Sequence, residues 1–476
     1  MNPVFQIAAH EIRTSLRTRA VRGLGVFLLL LLVFCLVAGR ADYQKAAHER
    51  AAARQAMRAF FLAQGATNPH NATHYGTFVF KPTSLLSVVD PGIEKFVGVT
   101  LRIEGHFQNE VQFAPAERNS SLVRFGQLSF TVLWQVVLPL MLIFVAHRAV
   151  VAERQAGTLK LLVAQGVSVR RLLWGKVLGY CGLMLAVLAV SGAALLLLRS
   201  GPAGADGGRD IGGRLALLLS CYALYYVLII TATVYASARL AAPSQVLVLM
   251  LAGWFGLTIL LPKLAMSVGE QSFQLPTRLQ FEEQLDAAYK QGLNGHDPND
   301  ARAKQFQDSL LARYQVKELQ QLPLNADGLL MQADDVYHGR AYDRQAATLQ
   351  RTLARQNQLA GRVALLDPLL AVSRLSRGLA GTDIHHHLRF LQQAETYRRG
   401  LVKTLNEKMA YGGSKTGDWG WKVDATYWQS IADFTYQPPT IGGSLRPYRA
   451  ELLALLAWVL GTLGLVHWAA RRLSAV

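Results

Sequence analysis

Three observations predict a mainly α-helical membrane protein with six transmembrane helices, one mixed α/β hydrophilic region and one mainly helical one. Six apolar runs are long enough to cross a bilayer, two long hydrophilic stretches separate them, and Lys and Arg gather at one set of short flanks. A hydrocarbon core asks for about 20 mostly apolar residues in a helix, and a soluble domain rarely carries several such runs. The 476 residues are 51% hydrophobic with a formal net charge of +18. Such a charge also suits a nucleic-acid binder, but the Arg residues sit at membrane edges and along exterior helices instead of forming one stripe. It reads as a topology signal, and no nucleic-acid partner is expected.

Residues 1–22 open the chain as a basic amphipathic segment. Phe5, Ala8, Ala9, Ile12 and Leu16 recur at helical spacing while Arg13 and Arg17 stack four apart, which predicts a helix over 3–20 lying at the membrane surface against anionic headgroups. A topogenic arginine cluster is the plainer alternative. Span one covers 23–39. A cleaved signal peptide also joins a basic start to an apolar run, but here the basic segment is long and the run is at the upper end for such a leader, so an uncleaved anchor is expected.

The first hydrophilic region, 40–127, begins Ala- and Arg-rich over 41–64, a helix continuing from span one. Alternation over 97–103 and again near 111–113 predicts strands. Span two (128–151), a linker (152–176), span three (177–198), a short loop (199–214), span four (215–237), a second loop (238–245) and span five (246–266) follow. The second hydrophilic region, 267–447, predicts helices near 277–291, 300–321, 328–361 and 383–410, broken at Asn294-Gly295, Pro298, Pro323 and Pro368. The aromatics Trp419, Trp421, Tyr427, Trp428, Phe434 and Tyr436 precede Pro438-Pro439 and are expected to pack within this region, with substrate binding and interfacial anchoring as alternatives. Span six (448–470) and a tail (471–476) end the chain.

Flanking charge orients these spans. Arg13, Arg17, Arg19 and Arg22 precede span one; Arg148, Arg154, Lys160, Arg170, Arg171 and Lys176 crowd the linker after span two; Arg239, Arg471 and Arg472 fall on the same side. Both termini are therefore expected in the cytoplasm and both hydrophilic regions in the periplasm of a bacterial inner membrane. Cys35, Cys181 and Cys221 all lie in spans, so no disulfide framework is expected outside them.

The linker carries the densest pattern. It reads Glu153-Arg154-Gln155-Ala156-Gly157-Thr158-Leu159, then Gly166-Val167-Ser168, then Leu173-Trp174-Gly175-Lys176. Leu159, Leu161, Leu162 and Val163 make an apolar run too short to span. A short helix is predicted, ended by Gly166 in the left-handed cap position, with Ser168 accepting from the amides of the next helix. Glu153 pairing with Arg154 or Lys160 is the plain reading of that charge.

In this order between two spans, the pattern resembles the cytoplasmic coupling region of ABC type-2 permeases. Further patches, including Thr77-Phe78, Lys81-Pro82, Asp90-Pro91-Gly92, Pro115-Ala116, Phe125-Gly126, Leu138-Pro139-Leu140, Asp367-Pro368, Gly381-Thr382-Asp383 and Tyr397-Arg398, resemble a bacterial subfamily of these permeases that carries a domain of unknown function. The resemblance covers nearly the whole chain. It implies the transport subunit of an ATP-driven exporter or extrusion complex, with Glu153, Arg154, Gly157, Thr158, Leu159, Leu162, Gly166 and Lys176 coupling it to a separate ATPase. That ATPase would hold ATP and Mg; this chain would hold no cofactor. A second permease copy or paralogue, membrane lipid and a periplasmic or outer-membrane protein are the other implied partners. Related permeases serve gliding motility and nitrous-oxide-reductase maturation, so no substrate is implied.

The chain is not expected to be an enzyme itself. Gly412-Gly413-Ser414-Lys415-Thr416 departs from the phosphate-loop pattern, and there is no HExxH, CxxC or GxSxG. Gln135, Tyr180, Tyr222, Tyr226, Thr231 and Glu451 are the polar span residues placed to line a pathway, and Gly175 with Gly179 forms a small-xxx-small pair for close helix packing. His385-His386-His387 is expected to be a solvated helical face, because adjacent helical residues point about 100° apart and cannot all reach one ion. His296 and His338 have nothing local to join them, and no metal site is expected. A membrane-anchored sensor or scaffold would need an output module larger than the short linkers provide; a secondary transporter should show charges in mid-span.

Overall fold

The computed structural model describes residues 2–112, 128–197, 210–297 and 299–472. Among these, six helices are long and apolar enough to cross a membrane: α2 (Arg19–Leu62), α5 (Phe130–Gln155), α7 (Val169–Leu197), α8 (Ile211–Arg239), α9 (Pro243–Ser272) and α15 (Ile441–Arg472). The chain is thus a mostly helical, multi-pass membrane protein. The other named helices are α1 (Pro3–Arg17), α3 (Pro69–Tyr75), α4 (Glu94–Val97), α6 (Thr158–Ala164), α10 (Arg278–Tyr289), α11 (Ala301–Tyr314), α12 (Ala326–Ala364), α13 (Pro368–Ala380) and α14 (Ile384–Tyr411). The Pro298 break, Phe113 and most of the 199–214 loop lie outside the described residues.

α2 runs 44 residues without interruption, about 66 Å of helix, so the first apolar run continues directly into the hydrophilic region. Two of the crossing helices are disturbed where proline dictates it. Leu133–Val137 in α5 and Gly256–Leu260 in α9 are π-turns, closed by Leu138 N–H to Leu133 C=O and Leu261 N–H to Gly256 C=O. Pro139 and Pro262 follow at once; each ring would clash with the carbonyl four residues back, and widening the turn relieves it.

A three-stranded antiparallel sheet, β1 (Thr77–Phe80), β2 (Thr100–Ile103) and β3 (Gln108–Gln112), is ordered β1-β2-β3, with Thr77 opposite Ile103 and Thr100 opposite Gln112. The alternating segment 97–103 divides between α4 and β2.

The two hydrophilic regions share one core. Phe61 at the end of α2, Ala72, Val79, Leu101 and Ile103 from the first pack with Phe390, Ala394, Leu401, Leu405, Val423, Trp428 and Ile431 from the second. Of the late aromatics, Trp421, Tyr427, Phe434 and Tyr436 pack against this core and Trp419 stays exposed; Trp428 is fully buried and donates Nε1–H to Gly65 O at 2.7 Å.

A second core ties this body to the crossing helices through α13. Asp367 is its N-cap and Pro368 its first residue, so the Pro expected only to break structure starts a helix, where its missing N–H costs nothing. Leu369, Val372, Leu375 and Leu379 of α13 join Tyr222, Tyr226, Leu455 and Val466 in one cluster. Gly378 allows the contact, since a Cβ there would stand 2.5 Å from the Tyr448 ring.

Candidate functional site

The linker between α5 and α7 is built as its local chemistry dictates. Gly157 takes φ +76°, Thr158 donates its hydroxyl to Glu153 O at 3.1 Å, and α6 begins. α6 ends in a Schellman motif: Gly166, at φ +87°, donates to Val163 O at 3.0 Å and Val167 donates to Leu162 O at 3.1 Å. Ser168 Oγ then accepts from Arg171 N–H at 3.3 Å. Leu159 is the buried anchor of α6 at 1% exposure, Leu162 is half-buried, and Gly157, Thr158, Leu161 and Gly166 face outward.

Both charged residues at the start of the linker point inward. Arg154 donates to Ser237 O and Ala238 O at the C-terminal end of α8, where a cation offsets the helix dipole and caps free carbonyls. Glu153 pairs with Lys176 at 2.7 Å, across on α7, instead of with Arg154 or Lys160. The same ammonium, 3% exposed, reaches Glu11 of α1 at 2.9 Å, and Tyr180 donates its hydroxyl to the other Glu11 oxygen. One buried cation therefore joins α1, the linker and α7.

The Gly175/Gly179 pair serves this junction and not contact with another crossing helix. A Cβ at Gly175 would lie 2.6 Å from Ile7, and one at Gly179 would lie 2.9 Å from Glu11 and 3.1 Å from Ala8 O. α1 accordingly packs along the first half of α7 through Ile7, Ala8 and Glu11, while Phe5 and Leu16 at the two ends of the expected apolar stripe stay exposed, at 58% and 52%.

The polar residues read as pathway candidates form a buried seam. Gln135 donates to Tyr222 OH at 2.9 Å, Tyr222 to Ser376 Oγ of α13 at 3.1 Å, and Ser376 to Asp90 at 2.6 Å. Tyr226 donates to Trp134 O at 2.7 Å and Thr231 to Thr462 at 2.8 Å. Glu451 is buried against Arg374 at 2.8 Å. Tyr180 and these groups are each satisfied by another element, so the seam glues α5, α8, α13 and α15 together. Arg214 completes it from α8, donating to Leu379 O, Ser444 Oγ and Pro439 O.

Asp367 is the strained member of this neighbourhood. It caps α13 by accepting from Leu369 N–H and Leu370 N–H at 2.9 and 3.2 Å, while its Oδ2 is buried without a partner. Burial raises its carboxyl to about 6, against the pull of those amides. The folded chain therefore keeps a proton that the unfolded chain loses near pH 4, so stability falls as pH rises from about 4 to about 6 and is level above. Asp367→Asn, which keeps a capping oxygen without the charge, is expected to raise the unfolding midpoint in detergent at about pH 8, with the gain shrinking toward pH 4. A gain independent of pH would refute the assignment.

The His triplet is not a solvated face. His386 and His387 are buried and only His385 is exposed. His386 is held by Asp383 through Nδ1 and lies 3.1 Å from Ser444 Oγ through Nε2; α14 enters the shared core here, so its first turn is covered. Gly412-Gly413-Ser414-Lys415-Thr416 is a structural turn. Ser414 Oγ accepts from Asn325 Nδ2 at 3.0 Å and Thr416 Oγ1 accepts from Ala326 N–H at 2.9 Å, so these hydroxyls cap the start of α12.

Sequence reasoning missed another cluster. His70 and His74 of α3, His106 in the β2–β3 turn and His296 between α10 and α11 bring ring nitrogens within 4.8 Å of one another. His70-x-x-x-His74 at i, i+4 on a helix was the available local signal.

A family described as a domain of unknown function, DUF3526, matches residues 278–437, about a third of the chain, from α10 through the segment before Pro438-Pro439. No curated protein matches the chain.

Proposed function

We propose that this chain is the membrane subunit of an ATP-driven ABC exporter or extrusion complex, with the outward face of α6 as the surface on which a cytoplasmic ATPase docks. The observation that carries this reading is the mounting of α6. Its outer face offers Gly157, Thr158 and Leu161, while its base is tied to α8 through Arg154 and to α7 and α1 through Glu153 and Lys176. A push on α6 is thereby delivered to three helices at once.

In this reading Glu153 acts as a strut within the subunit and the outward face of α6, with Thr158, Lys160 and Leu161 exposed on it, makes the contact. The partner ATPase would hold ATP and Mg, a second copy or paralogue would complete the path, and the hydrophilic body would stand in the periplasm with both termini in the cytoplasm. The DUF3526 match, lying in that body, is consistent with a cargo-handling or gating part of unassigned chemistry.

The test is co-purification of an ATPase subunit with the full chain in detergent, followed by ATP hydrolysis and transport measurements on Glu153→Gln and Gly157→Ala. Gly157→Ala forces a Cβ into the left-handed region, at about 1–2 kcal/mol. Both variants are expected to retain hydrolysis and lose most transport. Full coupling in both would refute the docking surface, and a chain that captures no ATPase would favour a membrane-anchored scaffold.

A further inference from the structure

We infer that His70, His74, His106 and His296 form a tetrahedral site for a divalent transition-metal ion of zinc's class, which clamps the α10–α11 arm to the sheet region. The inference stands apart from the permease reading.

The distances are those of a preformed site. His70 Nε2 and His74 Nε2 are 3.3 Å apart, and a tetrahedral zinc with nitrogens at ~2.0–2.1 Å sets an N···N edge of roughly 3.3–3.4 Å. All six ring pairs among the four residues have centroids 4.7–5.9 Å apart, so the rings surround one point.

The hydrogen-bond network assigns the tautomers toward that point. Asn406 donates its Nδ2 to Gln332 at 3.3 Å, so its Oδ1 is the acceptor facing His70 Nδ1 at 2.9 Å. His70 Nδ1 therefore carries the proton and Nε2 presents its lone pair. His106 Nδ1 donates to Asp334 Oδ2 at 3.0 Å, the carboxylate–histidine arrangement that orients a metal ligand. His106 Nε2 is buried without any partner. A hydrogen bond between His74 and His70 would satisfy one of these nitrogens but leaves His106 Nε2 unpaired; an ion satisfies them together.

The backbone is shaped to bring the ligands together. His106 sits at φ +64°, the left-handed region that non-glycine residues avoid. Gly105 beside it lets the turn close on α3, because a Cβ there would be 2.6 Å from Thr73 Oγ1. Gly295, beside the fourth ligand, lies close to α12, where a Cβ would stand 3.2 Å from Met331 Cε and 3.3 Å from Asp334 Cβ.

The arm supplies the reason for a clamp. α10 buries none of its residues and α11 buries Ala303 and Leu310. Three ligands come from the first hydrophilic region and His296 from the arm, whose apolar cluster of Leu310, Leu322, Leu324 and Ala326 holds no residue of that region, so an ion at this point ties the arm to the sheet region. Imidazole donors suit zinc, copper, cobalt and nickel, and a closed tetrahedral set favours zinc in a structural role.

The experiment uses the full chain in detergent, purified on a histidine-free tag, stripped with chelator and titrated with Zn²⁺ alone, with bound metal read by mass spectrometry. About one ion per chain is expected. His74→Ala and His296→Ala, both at exposed positions that folding tolerates, should weaken binding at least about 100-fold, and Asp334→Asn about 10–100-fold. His385→Gln should bind as the unsubstituted chain does. Zn²⁺ should also slow proteolysis within 278–321 in the unsubstituted chain and not in the His296 variant. Zinc content that is far below one per chain, or equal in all variants, would overturn the site. Binding without protection of the arm would overturn the clamp.

Discussion

Lys176→Met is expected to lower folding stability by about 3–5 kcal/mol, the usual cost of removing one partner from a buried ion pair. Lys176 is paired with both Glu11 and Glu153, and its loss leaves Glu11 accepting from the Tyr180 hydroxyl without a cation beside it. The measurement is thermal unfolding of the detergent-solubilised chain. Glu11→Gln and Glu153→Gln added to Lys176→Met should recover much of the loss, because neutral partners no longer demand the cation. A triple variant no more stable than Lys176→Met would show that the ammonium acts through packing of its stem and not through its charge. Under the proposed function, in which α1, α6 and α7 move as one, the triple variant should fold yet transmit poorly.

Arg398→Met is expected to be as costly, by about 3–5 kcal/mol, but in the hydrophilic body. Arg398 is 1% exposed and donates to Asp335 at 2.8 Å and to both oxygens of Glu395 at 2.8 and 3.0 Å, so it pins α14 to α12. Arg398→Lys keeps the charge and loses the planar fork, so it should fall between. Limited proteolysis distinguishes this from the first prediction. The Arg398 variant should be cut within 326–411 while the crossing helices stay intact, whereas the Lys176 variant should expose the linker first. Equal proteolysis patterns would mean that the body and the crossing helices unfold as one cooperative unit.

How far the sequence could be read depended on distance along the chain. The crossing helices were legible because about 20 apolar residues in a row are a local property. The bounds of α6 were legible because Gly166 and Ser168 act on amides and carbonyls within three to five residues. α13 was readable in principle from Asp367-Pro368, an N-cap followed by a first-turn proline, yet its burial was not, since nothing local says that a helix in a hydrophilic region enters the core of the crossing helices. His386 and His387 failed for the same reason. A helical wheel gives their directions, but what lies in those directions is set by Asp383, Ser444 and the packing of α14.

The sequence by itself determined the crossing helices, the capped linker and the lack of a phosphate loop, because periodicity, capping and motif spacing act within a few turns of chain. Only the tertiary structure decided the partners of the buried polar groups. Lys176 meets Glu11 across 165 residues, Arg398 meets Asp335 across 63, and His106 meets Asp334 across 228. A charge or a lone pair taken out of water must find a complement wherever the fold places one, and that place is a property of packed helices and not of neighbouring residues.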